Sequence, residues 1–142
     1  MNIYHLVHFH GGTEEVDGSQ KSLGCFSSLD VVAKAKKFYK TLSGFCLYPY
    51  GFCVFEYEVK GESDCNYTSI YLSEIYIRDK LYDFEQTVCL GAFGSHAMAE
   101  QCISEFLKQN KQLKKSCDII VDSFTTKYTL DKMGWQEGFD FD

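Results

Sequence analysis

The sequence predicts an α+β protein built from two tandem ββαβ modules, at residues 1–66 and 67–142, whose strands form antiparallel sheet with two helices packed on one face. Three observations support this prediction: an internal repeat, strand-like segments rich in β-branched and aromatic residues, and two segments with helical apolar spacing. The chain has 142 residues, of which 45% are hydrophobic. That amount of apolar material suits one compact unit or two packed halves of about 70 residues each.

The internal repeat becomes visible when the sequence is shifted by 67 positions. Ile3-Tyr4 then falls on Ile70-Tyr71, and the segment 23–28 falls on 90–95. Apolar positions of the following helix and of the last strand coincide as well. Few residues are identical, but agreement through four successive elements is difficult to obtain by chance. We therefore interpret each half as one copy of the same module.

Each module is predicted to contain two strands, a helix and a third strand. Segments rich in β-branched and aromatic residues predict strands at residues 3–9, 21–26, 52–59, 69–77 and 119–130, with a charged turn at 79–83 in the second module. Apolar residues spaced by three and four predict helices at 29–42 and 96–115. The pairs Ser27-Ser28 and Gly94-Ser95 contain the serine oxygens that cap helix N-termini.

Charge is unevenly distributed along the chain, whose formal net charge is −6. The two predicted helices contain eight lysines and three acidic residues, which leaves +5, whereas the remainder carries −11. Such an anionic field attracts basic proteins and disfavours nucleic acid, whose binding depends on cationic contacts with phosphate. The alternative is that solvated helix faces use lysine and loops use acids without any partner. The eight lysines are Lys34, Lys36, Lys37, Lys40, Lys108, Lys111, Lys114 and Lys115.

Acidic residues in loops and near the C-terminus are the predicted partner-binding residues. Carboxylates there would pair with lysine and arginine side chains of a basic partner, with tyrosines as anchors. They are Glu14, Glu15, Asp17, Glu62, Asp64, Glu137, Asp140 and Asp142. Aromatic residues such as Tyr50 and Tyr82 are plentiful, although most of them are expected in the core or at its edge. Trp135 and Phe139 are expected either to fold back onto the core or to contribute to a binding face.

Catalytic and metal-binding patterns are weak in this sequence. His5, His8 and His10 are clustered, but no spacing with a third or fourth metal ligand is visible, so we expect half-buried or surface histidines. His96, at a helix start, is expected to be structural. No G-x-S-x-G, H-E-x-x-H or glycine-rich phosphate loop occurs. We therefore expect no enzyme, no metal and no cofactor, while a cysteine–histidine pair keeps a small enzyme as a third hypothesis.

The seven cysteines are odd in number and irregularly spaced, and no Cys-x-x-Cys occurs. This pattern predicts reduced, buried cysteines rather than a disulfide framework. No apolar run approaches the ~20 residues that span a bilayer. The first residues lack the features of a secretory signal. We therefore expect a cytoplasmic protein without a membrane partner.

A set of strand, cap and turn residues in the first half consists of Tyr4, Leu23-Gly24, Phe26-Ser27-Ser28, Ala35, Gly44-Phe45, Tyr48-Pro49, Gly51-Phe52, Val54 and Glu56-Tyr57. With these residues, the first half resembles a small, functionally uncharacterised bacterial domain family. In that family a strand pair leads to a Ser-Ser-capped helix, a Pro-Gly-Phe-type turn and a last strand. The segment 130–139, which reads LDKMGWQEGF, is similar to the family's closing segment. In the second half, residues 109–116 replace the Pro-Gly-Phe segment, and the resemblance implies no catalytic residue.

The size, acidity and Cys/Tyr-rich composition are similar to those of immunity proteins of bacterial toxin systems, including contact-dependent growth inhibition. This resemblance implies a tight inhibitor of one cognate toxin, often an RNase or DNase, whose basic substrate cleft is covered by an acidic surface. Our leading hypothesis is therefore an immunity protein that occludes the basic cleft of a nuclease toxin. The alternative is a regulatory or scaffold interaction module that uses the lysine-rich helices.

Overall fold

A computed structural model describes residues 1–9, 20–61, 68–135 and 138. The order strand, strand, helix, strand occurs twice along the chain. The strands are β1 (Asn2–Phe9), β2 (Gln20–Phe26), β3 (Phe52–Lys60), β4 (Ser69–Asp79), β5 (Phe84–Phe93) and β6 (Ile119–Thr129). The helices are α1 (Leu29–Tyr39) and α2 (His96–Gln109), followed by 3₁₀ turns at Phe45–Leu47 and Lys111–Lys114.

The predicted strands and helices are confirmed, with differences at their ends. α1 ends at Tyr39 rather than at residue 42, and α2 ends at Gln109, before a separate 3₁₀ turn. Ser28 and Ser95 cap the helices as predicted, because each side-chain oxygen accepts a hydrogen bond from the backbone N–H three residues later. Such a capping serine stabilises a helix by about 1 kcal/mol relative to alanine.

The six strands form one mixed sheet with the hydrogen-bonded order β2-β1-β3-β5-β4-β6. The protein is therefore α+β, as predicted, but the prediction of antiparallel sheet is wrong at one place. β1 pairs antiparallel with β2 and β3, and β4 with β5, whereas β3 and β5 run parallel at Val59–Ala92 and Lys60–Phe93. A tight hairpin imposes antiparallel pairing on its two strands. β4 lies between β3 and β5 in the sequence, so no hairpin fixes their relative direction.

By its contacts, the chain divides into two compact units, Met1–Glu58 with Tyr128–Asp142, and Val59–Lys127. In the first unit, α1 packs on β1 and β2 over a buried cluster of Leu6, Leu23, Phe26, Val32, Ala35, Tyr39 and Phe45. In the second unit, α2 packs on β4 and β5, and the buried Ser73 hydroxyl donates to the carbonyl of Ala99 at 2.7 Å. The module boundaries inferred from the repeat, 1–66 and 67–142, stay a prediction.

Candidate partner-binding surface

All eight acidic residues predicted to bind a partner lie outside the described residues. They fall in three segments of the sequence, 10–19, 62–67 and 136–142, of which the structure describes Gly138 alone. The structure instead shows where these segments join the fold and what surrounds those points. The eight residues are Glu14, Glu15, Asp17, Glu62, Asp64, Glu137, Asp140 and Asp142.

The same three segments account for the net negative charge of the protein. They contain eight acidic residues and no lysine or arginine, which amounts to −8. The remaining residues include 12 acids and 14 bases, which amounts to +2. The net negative charge is therefore concentrated in three short stretches of sequence, because the 12 acids elsewhere are balanced by 14 bases.

The first acidic segment leaves the fold at Phe9, the last residue of β1. The Phe9 N–H donates a hydrogen bond of 2.8 Å to the carbonyl of Gly51. A Cβ at position 51 would collide with the carbonyl of Phe9 and would lie 2.8 Å from Nε2 of His8. Glycine therefore allows the chain before β3 to approach the end of β1 this closely.

The connection from α1 to β3 contains two exposed apolar side chains. We call residues 43–51 the α1–β3 loop. The exposed fractions of Leu47 and Tyr50 are 66% and 96%, whereas Phe45 of the same loop is fully buried. Tyr50 is therefore an exception to the expectation that most aromatic residues lie in the core or at its edge. Pro49 and Gly51, which flank Tyr50 and favour a turn, are the sequence signal that could have indicated this exposure.

The backbone of the α1–β3 loop is held by successive hydrogen bonds. Three of them follow the chain, from the N–H groups of Cys46, Tyr48 and Gly51 to the carbonyls of Leu42, Phe45 and Tyr48, at 3.0 to 3.1 Å. A fourth runs from Nε2 of the buried His8 to the carbonyl of Tyr48 at 2.9 Å. These bonds and the buried Phe45 ring fix the loop in one conformation.

A second exposed apolar site is the turn between β4 and β5, residues 80–83. Leu81 and Tyr82 there are 68% and 77% exposed. Oδ1 of Asp79 accepts hydrogen bonds from the N–H groups of both residues, at 3.0 and 3.4 Å. Tyr82 is thus a second aromatic residue that lies at the surface rather than in the core.

Residues 131–135, which we call the C-terminal strap, pair with β2 in the first unit. The N–H groups of Asp131 and Gly134 donate to the carbonyls of Cys25 and Leu23 at 3.0 and 2.8 Å. The Asp131 carboxylate accepts hydrogen bonds from the N–H and the hydroxyl of Ser27, at 2.8 and 2.7 Å. The strap therefore adds main-chain and side-chain bonds along β2.

Trp135 ends the strap and folds back onto the first unit. Its carbonyl accepts a hydrogen bond from the buried Tyr39 hydroxyl, and the Lys21 ammonium lies 4.9 Å from the centroid of its ring. Burial raises the pKa of the Tyr39 hydroxyl, and the hydrogen bond to Trp135 acts in the opposite direction. The indole is 37% exposed, so Trp135 caps the unit at its edge. Phe139, for which the same prediction was made, lies outside the described residues.

The buried His5 forms a polar chain with the half-buried Ser22 and Tyr128. Nε2 of His5 lies 2.7 Å from Oγ of Ser22, which lies 2.7 Å from the Tyr128 hydroxyl. Burial lowers the pKa of His5 from 6.5 to about 4. A serine beside a histidine has the geometry of a nucleophile and its base, but an imidazole of such low pKa is a poor base near neutral pH. His5 is also only 4% exposed, so the chain is best explained as a structural network.

The expectation of half-buried or surface histidines is wrong for His5 and His8. β1 is buried on both faces, so the alternating pattern that normally marks an exposed face is missing. The His8 ring packs edge-on against Phe45 and Phe52, with centroids 4.9 and 4.7 Å away. Within residues 1–9, 20–61, 68–135 and 138, no group of three or more His, Cys, Asp or Glu side chains could hold a metal ion. His10 lies outside these ranges.

The cysteines of the described residues are free, but their burial differs from the prediction. Cys25 is buried, whereas Cys46 and Cys117 are exposed. Burial raises the pKa of the half-buried Cys102 thiol. Cys65 lies outside the described residues. The prediction of buried cysteines is therefore wrong for two of them.

Lysines of the helices are mostly exposed, as the alternative hypothesis requires. The first group consists of the exposed Lys34, Lys37 and Lys40 and the half-buried Lys36. The second group lies at the end of α2 and in the following 3₁₀ turn, and consists of the exposed Lys108, Lys111, Lys114 and Lys115.

Among the described residues, no helix has both the length and the apolar character needed to cross a membrane. No protein-family model, no curated protein and no solved structure matches the chain. What can be inferred about function comes from the charges, the exposed loops and the buried networks of the chain itself.

Proposed function

We propose that this protein consists of two copies of one ββαβ module and acts by binding a basic partner protein in the cytoplasm. More specifically, we propose an immunity protein that covers the basic substrate cleft of a cognate nuclease toxin, an RNase or a DNase. The observation that supports this most is the charge of −8, without any lysine or arginine, in three short segments. In this proposal the protein binds no nucleic acid itself and needs no metal or cofactor.

The duplication is supported by strand register as well as by sequence. The β1–β2 register shifts between Leu6 and Val7, and the β4–β5 register shifts between Ser73 and Glu74. These two positions are 67 residues apart, as are the two capping serines. Matching irregularities at one constant offset are typical of copies of a single unit.

A nuclease suits an anionic inhibitor because its cleft must be cationic to hold phosphates. Attraction between opposite charges speeds the encounter, and carboxylates that pair with lysine or arginine in the cleft compete directly with the substrate. The contacts we propose are Glu14, Glu15, Asp17, Glu62 and Asp64, with Glu137, Asp140 and Asp142 as second choices.

The second candidate function is a regulatory or scaffold module that binds through its lysines. It is favoured by the exposure of Lys108, Lys111, Lys114 and Lys115 around one helix end. Cationic side chains at a helix C-terminus also interact favourably with the helix dipole, which explains such lysines without a partner.

The polypeptide encoded by the adjacent gene is the probe that tests the main proposal. We expect it to co-purify with this protein and to inhibit growth only in cells that lack this protein. The variant Glu14→Gln/Glu15→Gln/Asp17→Asn should weaken both binding and protection, because it removes three charges from one acidic segment. The matched control is Glu105→Gln/Asp118→Asn/Asp122→Asn, which removes three exposed charges elsewhere and should leave both properties nearly unchanged.

Two results would contradict the proposal. One is the absence of binding and protection with the wild-type chain. The other is an equal loss in the two charge variants, since that would show a general effect of net charge rather than an effect of the acidic segment.

A further inference from the structure

In the α1–β3 loop, two large apolar side chains are exposed to solvent, while hydrogen bonds hold the backbone of the loop in place. Leu47 is 66% exposed and Tyr50 is 96% exposed. Since the surrounding backbone is hydrogen-bonded and Phe45 is buried, a partner that binds this loop would lose little free energy in ordering it. Tyrosine presented in this way is a frequent hot spot of protein interfaces.

The fold itself does not require apolar residues at these two places. The positions 67 residues later are Lys114 and Cys117, which follow α2 as Leu47 and Tyr50 follow α1. Both are exposed, and Lys114 is charged. The exposed apolar pair is therefore specific to the first half of the chain, and packing gives no reason for it.

The charges that follow Phe9 in the sequence indicate what kind of partner would cover the loop. The loop, residues 43–51, contains no charged side chain. Phe9, whose N–H donates to the carbonyl of Gly51, is followed directly by the acidic segment 10–19, with three acids and no lysine or arginine. An apolar anchor joined to an anionic segment is complementary to an apolar pocket bordered by lysine and arginine.

We propose that Leu47 and Tyr50 form the anchor through which this protein docks into an apolar pocket at the edge of the basic cleft of its partner protein. This inference rests on the proposed function, because it takes the basic toxin as the occupant. In the complex, Tyr50 enters the pocket and Leu47 packs beside it.

The test uses the full chain with the polypeptide encoded by the adjacent gene. The variant Leu47→Ser/Tyr50→Ser replaces both large apolar side chains by small polar ones without changing the charge of the chain. We expect its dissociation constant to rise at least ~30-fold, which is the effect of losing one interface hot spot. Tyr82→Ser is the matched control, because Tyr82 is also an exposed aromatic residue, and it should change the constant less than ~3-fold.

A second measurement requires no substitution. Cys46 adjoins Leu47, and Cys117 is the other described cysteine that is exposed. Alkylation by a maleimide, followed by peptide mass spectrometry, gives the modification rate of each thiol. We expect the bound partner to slow modification of Cys46 at least ~10-fold, since an interface core excludes solvent, and to leave Cys117 unchanged.

The outcomes separate this inference from the proposed function. Weak binding by Leu47→Ser/Tyr50→Ser together with protection of Cys46 supports the anchor. Tight binding by that variant, or unprotected Cys46 in a complex that forms, overturns the anchor and leaves the proposed function standing. If the wild-type chain does not bind the adjacent gene product, both proposals fail.

Discussion

Burial acts on two ionisable side chains of this protein in opposite directions. It lowers the pKa of His5 and raises the pKa of Glu74, so it favours the neutral form of each. A hydrogen bond with Thr126 partly opposes the effect on Glu74. Neutral side chains with hydrogen-bond partners are the least costly way to keep polar groups in a core. Their titration therefore affects the stability of the fold.

The first prediction concerns His5. The unfolded chain binds a proton on this histidine near pH 6.5, whereas the folded chain does so only at about pH 4. The contribution of neutral His5 to the free energy of unfolding is therefore fully present above pH 6.5 and is lost as the pH falls towards 4. The variant His5→Leu removes this dependence. Urea unfolding of both proteins should show that lowering the pH from 7.5 to 5 costs the wild type about 2 kcal/mol more than the variant.

Two features of the fold allow the pH dependence of stability to be compared directly between the wild type and His5→Leu. Leucine is an apolar replacement for the buried His5, and Leu72, 67 residues later in β4, is likewise fully buried. Glu74 changes stability with the opposite sign, since its raised pKa makes acid favour folding, but it is present in both proteins and cancels in the difference. His96→Gln, at an exposed site, is the control and should follow the wild type. Identical pH profiles for wild type and His5→Leu would refute the role of His5.

At the scale of the elements, the strap is the part of the first unit that comes from furthest along the chain. Its contacts with β2 and α1 join residues about a hundred positions apart. Asp131 has a positive φ of 64°, a conformation that asparagine and aspartate adopt more readily than other non-glycine residues. The backbone turn and the two hydrogen bonds to Ser27 therefore depend on the same residue.

The second prediction tests the strap through Trp135, the only tryptophan of the protein. The variant Asp131→Ala removes both acceptor oxygens and strains the turn, so it should lower the free energy of unfolding by about 1–3 kcal/mol. Acrylamide should then quench Trp135 more strongly, because the indole leaves the surface near Lys21. Asp131→Asn keeps one acceptor and tolerates the backbone conformation, and should lie between wild type and alanine. Asp122→Ala, at an exposed acid of β6, should change neither quantity, and unaltered quenching in Asp131→Ala would contradict this account.

Sequence periodicity and capping predicted the elements, because those signals are local. The helix caps at Ser28 and Ser95 and the five strands predicted with bounds follow from side chains within a few residues of each other, whereas β5 was expected only from the repeat. The parallel pairing of β3 with β5 depends on chain segments far apart in sequence, and no local pattern encodes it. The same holds for the burial of His5, since a strand buried on both faces shows no alternation.

The candidate site could be predicted only in part. Charge counting identified the acidic segments, because net charge is a property of the sequence. Charge counting could not identify Leu47 and Tyr50 as exposed, because an apolar residue between a helix and a strand can lie either in the core or at the surface. The sequence offset of 67 residues supplies a comparison, since it aligns Lys114 and Cys117 with Leu47 and Tyr50.

At the scale of the whole molecule, the two signs of charge are segregated along the chain. Three segments carry −8 and the remaining residues carry +2. A cationic partner would therefore be attracted to the three acidic segments, and an anionic partner to the lysine groups. Electrostatic attraction of this kind acts over about 10 Å at 0.1 M salt and about 30 Å at 0.01 M, so the rate of association with a partner of opposite charge depends on ionic strength.

The last prediction is a dependence of association rate on salt. Stopped-flow mixing with the adjacent gene product should show the association rate constant rising about 10-fold or more between 0.15 M and 0.015 M salt, with little change in dissociation. Glu14→Gln/Glu15→Gln/Asp17→Asn should flatten this dependence, whereas Lys34→Gln/Lys37→Gln/Lys40→Gln should leave it as steep or steeper, because it makes the chain more anionic. If the rate falls at low salt, and the protein instead binds RNA with an affinity that drops steeply with salt, the lysine groups are the binding surface and the acidic segments are not.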